Sequence, residues 1–92
     1  GAEQLLKRCK PFIICEVLPG RTEAALESLL SPLGYRYFWI TDSGIEPRTS
    51  IQGDRTERHL NYLFAHPVRM EEVVRRLGLT TFESVFRHTR AA

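Results

Sequence analysis

The sequence predicts an α/β fold, and three observations carry that expectation. Helix-periodic and strand-like segments alternate along the 92 residues, in the order α-β-α-β-loop-β-α-α. The run Phe12-Ile13-Ile14-Cys15-Glu16-Val17-Leu18, bounded by Pro11 and Pro19-Gly20, is almost unbroken in its apolarity and matches a strand buried on both faces. One helical segment separates that run from the next strand, which is the arrangement of a parallel crossover. A strand buried on both faces needs neighbours that a chain this short barely supplies. The sequence therefore reads as the edge third of a larger α/β sheet.

Each element has its own warrant. Ala2 to Cys9 reads as the end of a helix with Leu5 and Leu6 inward and Lys7 and Arg8 at its C-terminus, where cations suit the helix dipole. Lys10-Pro11 stops it. After the first strand, Thr22 is placed to cap a second helix, and Leu26, Leu29, Leu30 and Leu33 fall on one helical face. Pro32 should distort its last turn and Gly34 end it. Tyr35 to Ile40 is an aromatic strand. From Asp42 to about Arg58 the chain is polar and aperiodic, a loop of a length that is usually either functional or mobile. Leu60 to Ala65 is the third strand, closed by His66-Pro67 and paired antiparallel with the aromatic one. Met70–Leu77 and Phe82–His88 read as short helices, the second with a Thr80–Glu83 capping box and an apolar face of Phe82, Val85 and Phe86.

Composition excludes several classes. No stretch approaches the roughly 20 apolar residues of a membrane-spanning helix, and no basic-then-apolar leader opens the chain. Thirteen Lys and Arg against eleven Asp and Glu leave a net charge of +2, too small and too evenly spread for a nucleic-acid binder. Arg69, Arg75 and Arg76 are offset by Glu71 and Glu72. Cys9 and Cys15 lack a second cysteine pair, and His59, His66 and His88 are too widely spaced for a zinc site. Both thiols are expected reduced, in a cytoplasmic protein. The chain opens on Gly1 and its only methionine is Met70, so it reads as a C-terminal fragment of a longer protein.

Three segments in succession carry a family resemblance. Gly1-Ala2-Glu3, Leu5-Leu6 and Lys10-Pro11-Phe12-Ile13-Ile14-Cys15-Glu16-Val17 come first, then Leu33-Gly34-Tyr35-Arg36, then Asn61-Tyr62-Leu63-Phe64 before Pro67. The succession resembles the C-terminal part of FkbM-family methyltransferases over residues 1–67, about three quarters of the chain. The resemblance implies the edge of a Rossmann-like class I sheet: strands five and six, with antiparallel strand seven between them. It also implies a single partial domain over 1–92, with 68–92 as a helical C-terminal extension.

The activity implied is S-adenosylmethionine-dependent methyl transfer, to a hydroxyl of a small molecule or sugar. The cofactor would be held by a preceding part of the protein, because no G-x-G turn appears here and Pro19-Gly20 follows the wrong strand. The fragment alone would be inactive and would self-associate through its open sheet edge.

Six residues are candidates for the site. Glu16 lies near the carboxyl end of the first strand, where sites of open α/β sheets form, and could orient or deprotonate an acceptor hydroxyl. Asn61, opening the returning strand, should stand at the same rim and could hydrogen-bond the acceptor. His59 is placed where a general base could stand. Arg58, with Arg48 and Arg55, could hold an anionic group. A rival reading is a non-catalytic α/β binding module working through the aromatic strand or the 42–58 loop.

Overall fold

A computed structural model describes residues 2–84. They form a mixed α/β domain: α1 (Ala2–Cys9), β1 (Ile13–Glu16), α2 (Glu23–Leu30), a 3-10 turn (Ser31–Leu33), β2 (Arg36–Thr41), β3 (Gly44–Arg48), β4 (Asn61–Ala65) and α3 (Pro67–Leu77). The four strands make one sheet in the order β1-β4-β2-β3, and every hydrogen-bonded pair is antiparallel. β1 and β2 therefore run in the same direction, with β4 inserted between them against that direction. The expected crossover is present in sense, but the two strands it joins are not neighbours.

Side-chain alternation divides the core into two clusters, one on each face of the sheet. Val17, Tyr37, Tyr62 and Phe64 project to one face, where they pack with Leu6 of α1, Leu30 of α2, Tyr35 and Ile51. Phe38, Leu63 and Ala65 project to the other, with Ile45, Phe82 and the half-buried Met70 and Val74 of α3. The aromatic strand is thus consumed by packing. Tyr37 meets Phe64 edge-on, and Tyr62 stacks on Phe64.

The reading of the first strand needs correction. β1 is an edge strand, not one buried on both faces, and its burial alternates. Ile13 and Cys15 pack against the first cluster. On the opposite face Phe12 is 42% and Ile14 65% exposed. Among the described residues Phe12 alone of the two has an aromatic contact there, with the Phe82 ring at 5.7 Å.

The 42–58 segment is not one loop. Asp42 and Ser43 turn β2 into β3, with Gly44 at φ 126° where a side chain would be strained. Pro47 fits because β3 is an edge strand. The remainder, 49–60, is a strap laid on α2. Glu27 Oε1 accepts from the Ile51 N–H, and Glu23 Oε2 accepts from Gly53 N–H at 2.9 Å. Tyr62 Oη donates to the Gln52 carbonyl at 2.8 Å and accepts from its N–H at 3.2 Å. Ile51 is thereby buried in the first cluster.

Smaller departures have equally local causes. Leu5 points outward and Leu6 alone of that pair is buried, because only one side of α1 meets the sheet. Leu29 is likewise exposed while Leu30 is buried. Thr22 makes no side-chain cap, and the strap uses the carboxylates of α2 instead. Pro32 draws the chain into the 3-10 turn, which Gly34 ends at φ 84°. α3 starts three residues before the expected Met70, with Pro67 in its first turn and His66 as its cap, Nδ1 accepting from the Val68 N–H at 3.2 Å. Arg69 is engaged: Nε and Nη2 donate to the Cys9 carbonyl that ends α1, at 3.1 and 2.9 Å, and Nη1 pairs with Glu72. One residue along from the expected Thr80–Glu83 capping box, Thr81 Oγ1 contacts Ser84 Oγ at 2.6 Å. The rest of the expected Phe82–His88 helix, with Val85 and Phe86, lies outside the described residues. Among the described residues no helix is long and apolar enough to cross a membrane.

Candidate functional site

Glu16 is the last residue of β1 and Asn61 the first of β4, and the ladder sets them directly opposite one another. Just beyond, the Val17 N–H donates to the Leu60 carbonyl at 2.7 Å, so Val17 and Leu60 form a hydrogen-bonded pair. Antiparallel pairs alternate, which makes Glu16 and Asn61 a non-hydrogen-bonded pair, the kind whose side chains lie closest together on a shared face. Both are exposed, and within the described residues neither side chain has a hydrogen bond or ion pair. A carboxylate and an amide thus stand side by side at the carboxyl end of β1, able to accept from and donate to one hydroxylated ligand.

His59 is held elsewhere. Its N–H donates to Asp54 Oδ2 at 3.0 Å, and its carbonyl accepts from the Trp39 indole at 2.8 Å. Its ring lies edge-on to Trp39, centroids 5.9 Å apart, with Nε2 at 3.9 Å from Asp42 Oδ2. Trp39 is opposite Tyr62 and packs on the first cluster, so it lies across the sheet from the face carrying Glu16 and Asn61. The structure brings Glu16 and Asn61 together and assigns His59 to the packing of Trp39. Arg58 is exposed in the strap beside the Asp54 turn.

Two further residues complete the surroundings of Trp39, a role the sequence reading did not give them: it had Arg48 as a possible anion holder and Asp42 as the start of a loop. The Arg48 guanidinium lies 4.6 Å from the Trp39 ring centroid, and Asp42 faces His59 from the β2–β3 turn. The signal for both was the Thr41-Asp42-Ser43-Gly44 segment, which reads as a strand end or equally as a hairpin turn. Asp54 organises the strap turn by accepting from the Thr56 hydroxyl, the Thr56 N–H and the His59 N–H, which together hold its carboxyl down at about 2. The Gly53 N–H holds the Glu23 carboxyl below its usual range in the same way.

A cavity of about 370 Å³ is lined by Arg36, Phe38, Pro47, Met70 and Glu83 among others, at the opposite end of β2 from the Glu16–Asn61 rim. Among the described residues no three His, Cys, Asp or Glu side chains gather as a metal site, and Cys9 and Cys15 are free thiols. The residues present do not fit an S-adenosylmethionine cradle. The turn after β1 presents Pro19, whose backbone is packed against Gly53, and a solvent-exposed Gly20, with no succession of glycines. No family model matches the chain, and neither a curated protein nor a solved structure does.

Proposed function

We propose that the chain is the acceptor-side edge of an S-adenosylmethionine-dependent methyltransferase of the FkbM type, working in the cytoplasm on a hydroxyl of a small molecule or sugar. The observation that carries this reading is the insertion of β4, antiparallel, between β1 and β2, with Glu16 and Asn61 opposed at the carboxyl end of β1. That strand order agrees with the five-seven-six order the resemblance implies. The open edge of β1 supports it too, since it lies on the side of the sheet where preceding strands would join.

In this reading Asn61 donates to the acceptor hydroxyl or a neighbouring one and fixes its orientation. Glu16 accepts the hydroxyl hydrogen bond and takes the proton as the oxygen becomes a nucleophile. The cofactor belongs to the preceding part of the protein. Against the rival binding-module reading, Tyr35, Tyr37 and Phe38 are buried in packing and residues 49–60 are strapped to α2, leaving little aromatic surface to offer a partner.

The test begins with the coding sequence upstream of Gly1. An open frame containing a glycine-rich strand–turn–helix is expected, and a start codon immediately before Gly1 would overturn the reading. In the full-length protein, Glu16→Gln should lower turnover by about a hundredfold or more while leaving cofactor affinity unchanged. Unaltered turnover would remove Glu16 from the reaction.

A further inference from the structure

The cavity at the far end of β2 is assembled by three parts of the chain. The β2–β3 ladder sets Phe38 opposite Pro47, and α3 brings Pro67 and Met70 to the same space. Glu83 is held there by its neighbours. Phe82 beside it is buried against Phe38, ring centroids 5.3 Å apart. Thr81 and Ser84 close a turn around it, the Ser84 N–H donating to the Thr81 carbonyl at 3.3 Å. Arg48 also borders the cavity, but its guanidinium is committed elsewhere, lying over the Trp39 ring and meeting Glu46 at 3.6 Å. The charges left to the cavity are therefore Arg36 and Glu83, one of each sign. They do not pair with each other, and among the described residues neither side chain has a hydrogen bond or ion pair. Opposite charges that line one cavity without closing on each other remain available to a ligand carrying both.

We propose that this cavity binds a free α-amino acid with an apolar side chain. Its volume of about 370 Å³ is near the lower end of small-molecule sites, with room for one small ligand. The Arg36 guanidinium takes the carboxylate, a group its planar fork matches, and the Glu83 carboxylate accepts from the ammonium. The ligand's side chain lies against Phe38, Pro47, Pro67 and Met70, the last with an unbranched thioether that can mould to it. Those four side chains offer no strong hydrogen-bond donor or acceptor, so a polar ligand side chain would lose water without replacement. A purely anionic ligand would meet the Glu83 carboxylate uncompensated, and a purely cationic one the Arg36 guanidinium. The site is built wholly from described residues and shares none with the Glu16–Asn61 rim, so the methyltransferase reading and this inference stand or fall separately.

The test uses the 92-residue chain with L-phenylalanine and two analogues of the same apolar body, phenethylamine lacking the carboxylate and hydrocinnamate lacking the ammonium. Met70 is the only methionine, so its methyl resonance reports the cavity without ambiguity. L-phenylalanine is expected to shift that resonance saturably, with a Kd below about 1 mM, and each analogue to bind about tenfold more weakly. Arg36 is exposed and Glu83 only half-buried, so Arg36→Gln and Glu83→Gln should leave the circular dichroism unchanged. Arg36→Gln should weaken L-phenylalanine about tenfold and leave phenethylamine unaffected, whereas Glu83→Gln should weaken L-phenylalanine about as much and leave hydrocinnamate no weaker. Absence of a saturable Met70 shift up to about 10 mM ligand would overturn the inference. Equal binding of all three compounds, or variants that change all three alike, would overturn it as well.

Discussion

Gly53 is the residue on which the strap most directly depends, and Gly53→Ala measures that dependence. A β-carbon built there meets Pro19 Cα at 2.4 Å, Pro19 N at 2.5 Å and the Leu18 carbonyl carbon at 3.0 Å. All three are backbone atoms, so no side chain can swing aside. Ordinary carbon contacts begin near ~3.5 Å, and the strap must retreat by about 1 Å to restore one. The Gly53 N–H bond to Glu23, now 2.9 Å, would then stretch past useful length, and Ile51 two residues earlier would lose its seat in the core.

Overpacking of this kind costs about 1–3 kcal/mol. Because nothing flexible can yield, about 2 kcal/mol is the expected loss, or roughly 8–16 °C in melting temperature for a domain of this size. Gly20→Ala is the control. Gly20 has φ +76° with nothing within 4 Å, so it should show only left-handed backbone strain, about 1 kcal/mol. Urea unfolding and thermal melts of both variants give the comparison. If Gly53→Ala stays within about 0.5 kcal/mol of the parent, the close approach of strap and β1–α2 turn is wrong.

Other expectations follow from the same packing. Tyr62→Phe removes a buried hydroxyl that both donates to and accepts from Gln52, and should cost about 1–2 kcal/mol by denaturant titration, with faster hydrogen exchange across 50–54. Asp54 has its folded carboxyl held at about 2 against an ordinary 3.8, so its contribution is fully present above pH 3.8 and is lost as pH falls toward 2. Asp54→Asn should flatten that part of the stability-against-pH curve, and an unchanged slope would show that Asp54 does not organise the turn. Arg48→Ala uncovers the Trp39 ring and should redshift its emission at a cost of about 0.5–1 kcal/mol; an unmoved spectrum would place the guanidinium elsewhere. Phe64→Ala, at the centre of the first cluster, should cost about 3–5 kcal/mol and is the variant expected to prevent folding.

The positions of α1, β2, β4 and α2 were legible in the sequence because each carries either a periodic apolar face or an aromatic run between stop residues. β3 was not, since Gly44-Ile45-Glu46-Pro47-Arg48 is polar, glycine-bearing and proline-bearing, as edge strands often are. The surroundings of β1 were misread for a physical reason. An apolar run reports that both faces can be buried, not that the chain at hand buries them, and Ile14 remains open to solvent. That Glu16 and Asn61 share one rim was anticipated from strand direction; that they stand directly opposite one another in a ladder was not. The capture of His59 by Trp39 and Asp54 was not, because it depends on the strap, and the strap rests on carboxylate-to-backbone bonds from Glu23 and Glu27 that leave no mark in hydrophobic periodicity.

The place of β4 has a temporal consequence. Among the described residues β1 and the β2–β3 hairpin share no ladder, and the strand that bonds to both is the last of the four to be made. Until Asn61–Ala65 leaves the ribosome, the hairpin can close locally, but β1 lacks the one partner it has among the described strands. Assembly of the sheet is therefore a single late event that joins distant parts of the chain, with a long loop to close before any reward is collected. Between the synthesis of β1 and that of β4 the apolar segment Phe12–Leu18 waits without its ladder, the stretch a chaperone would find first.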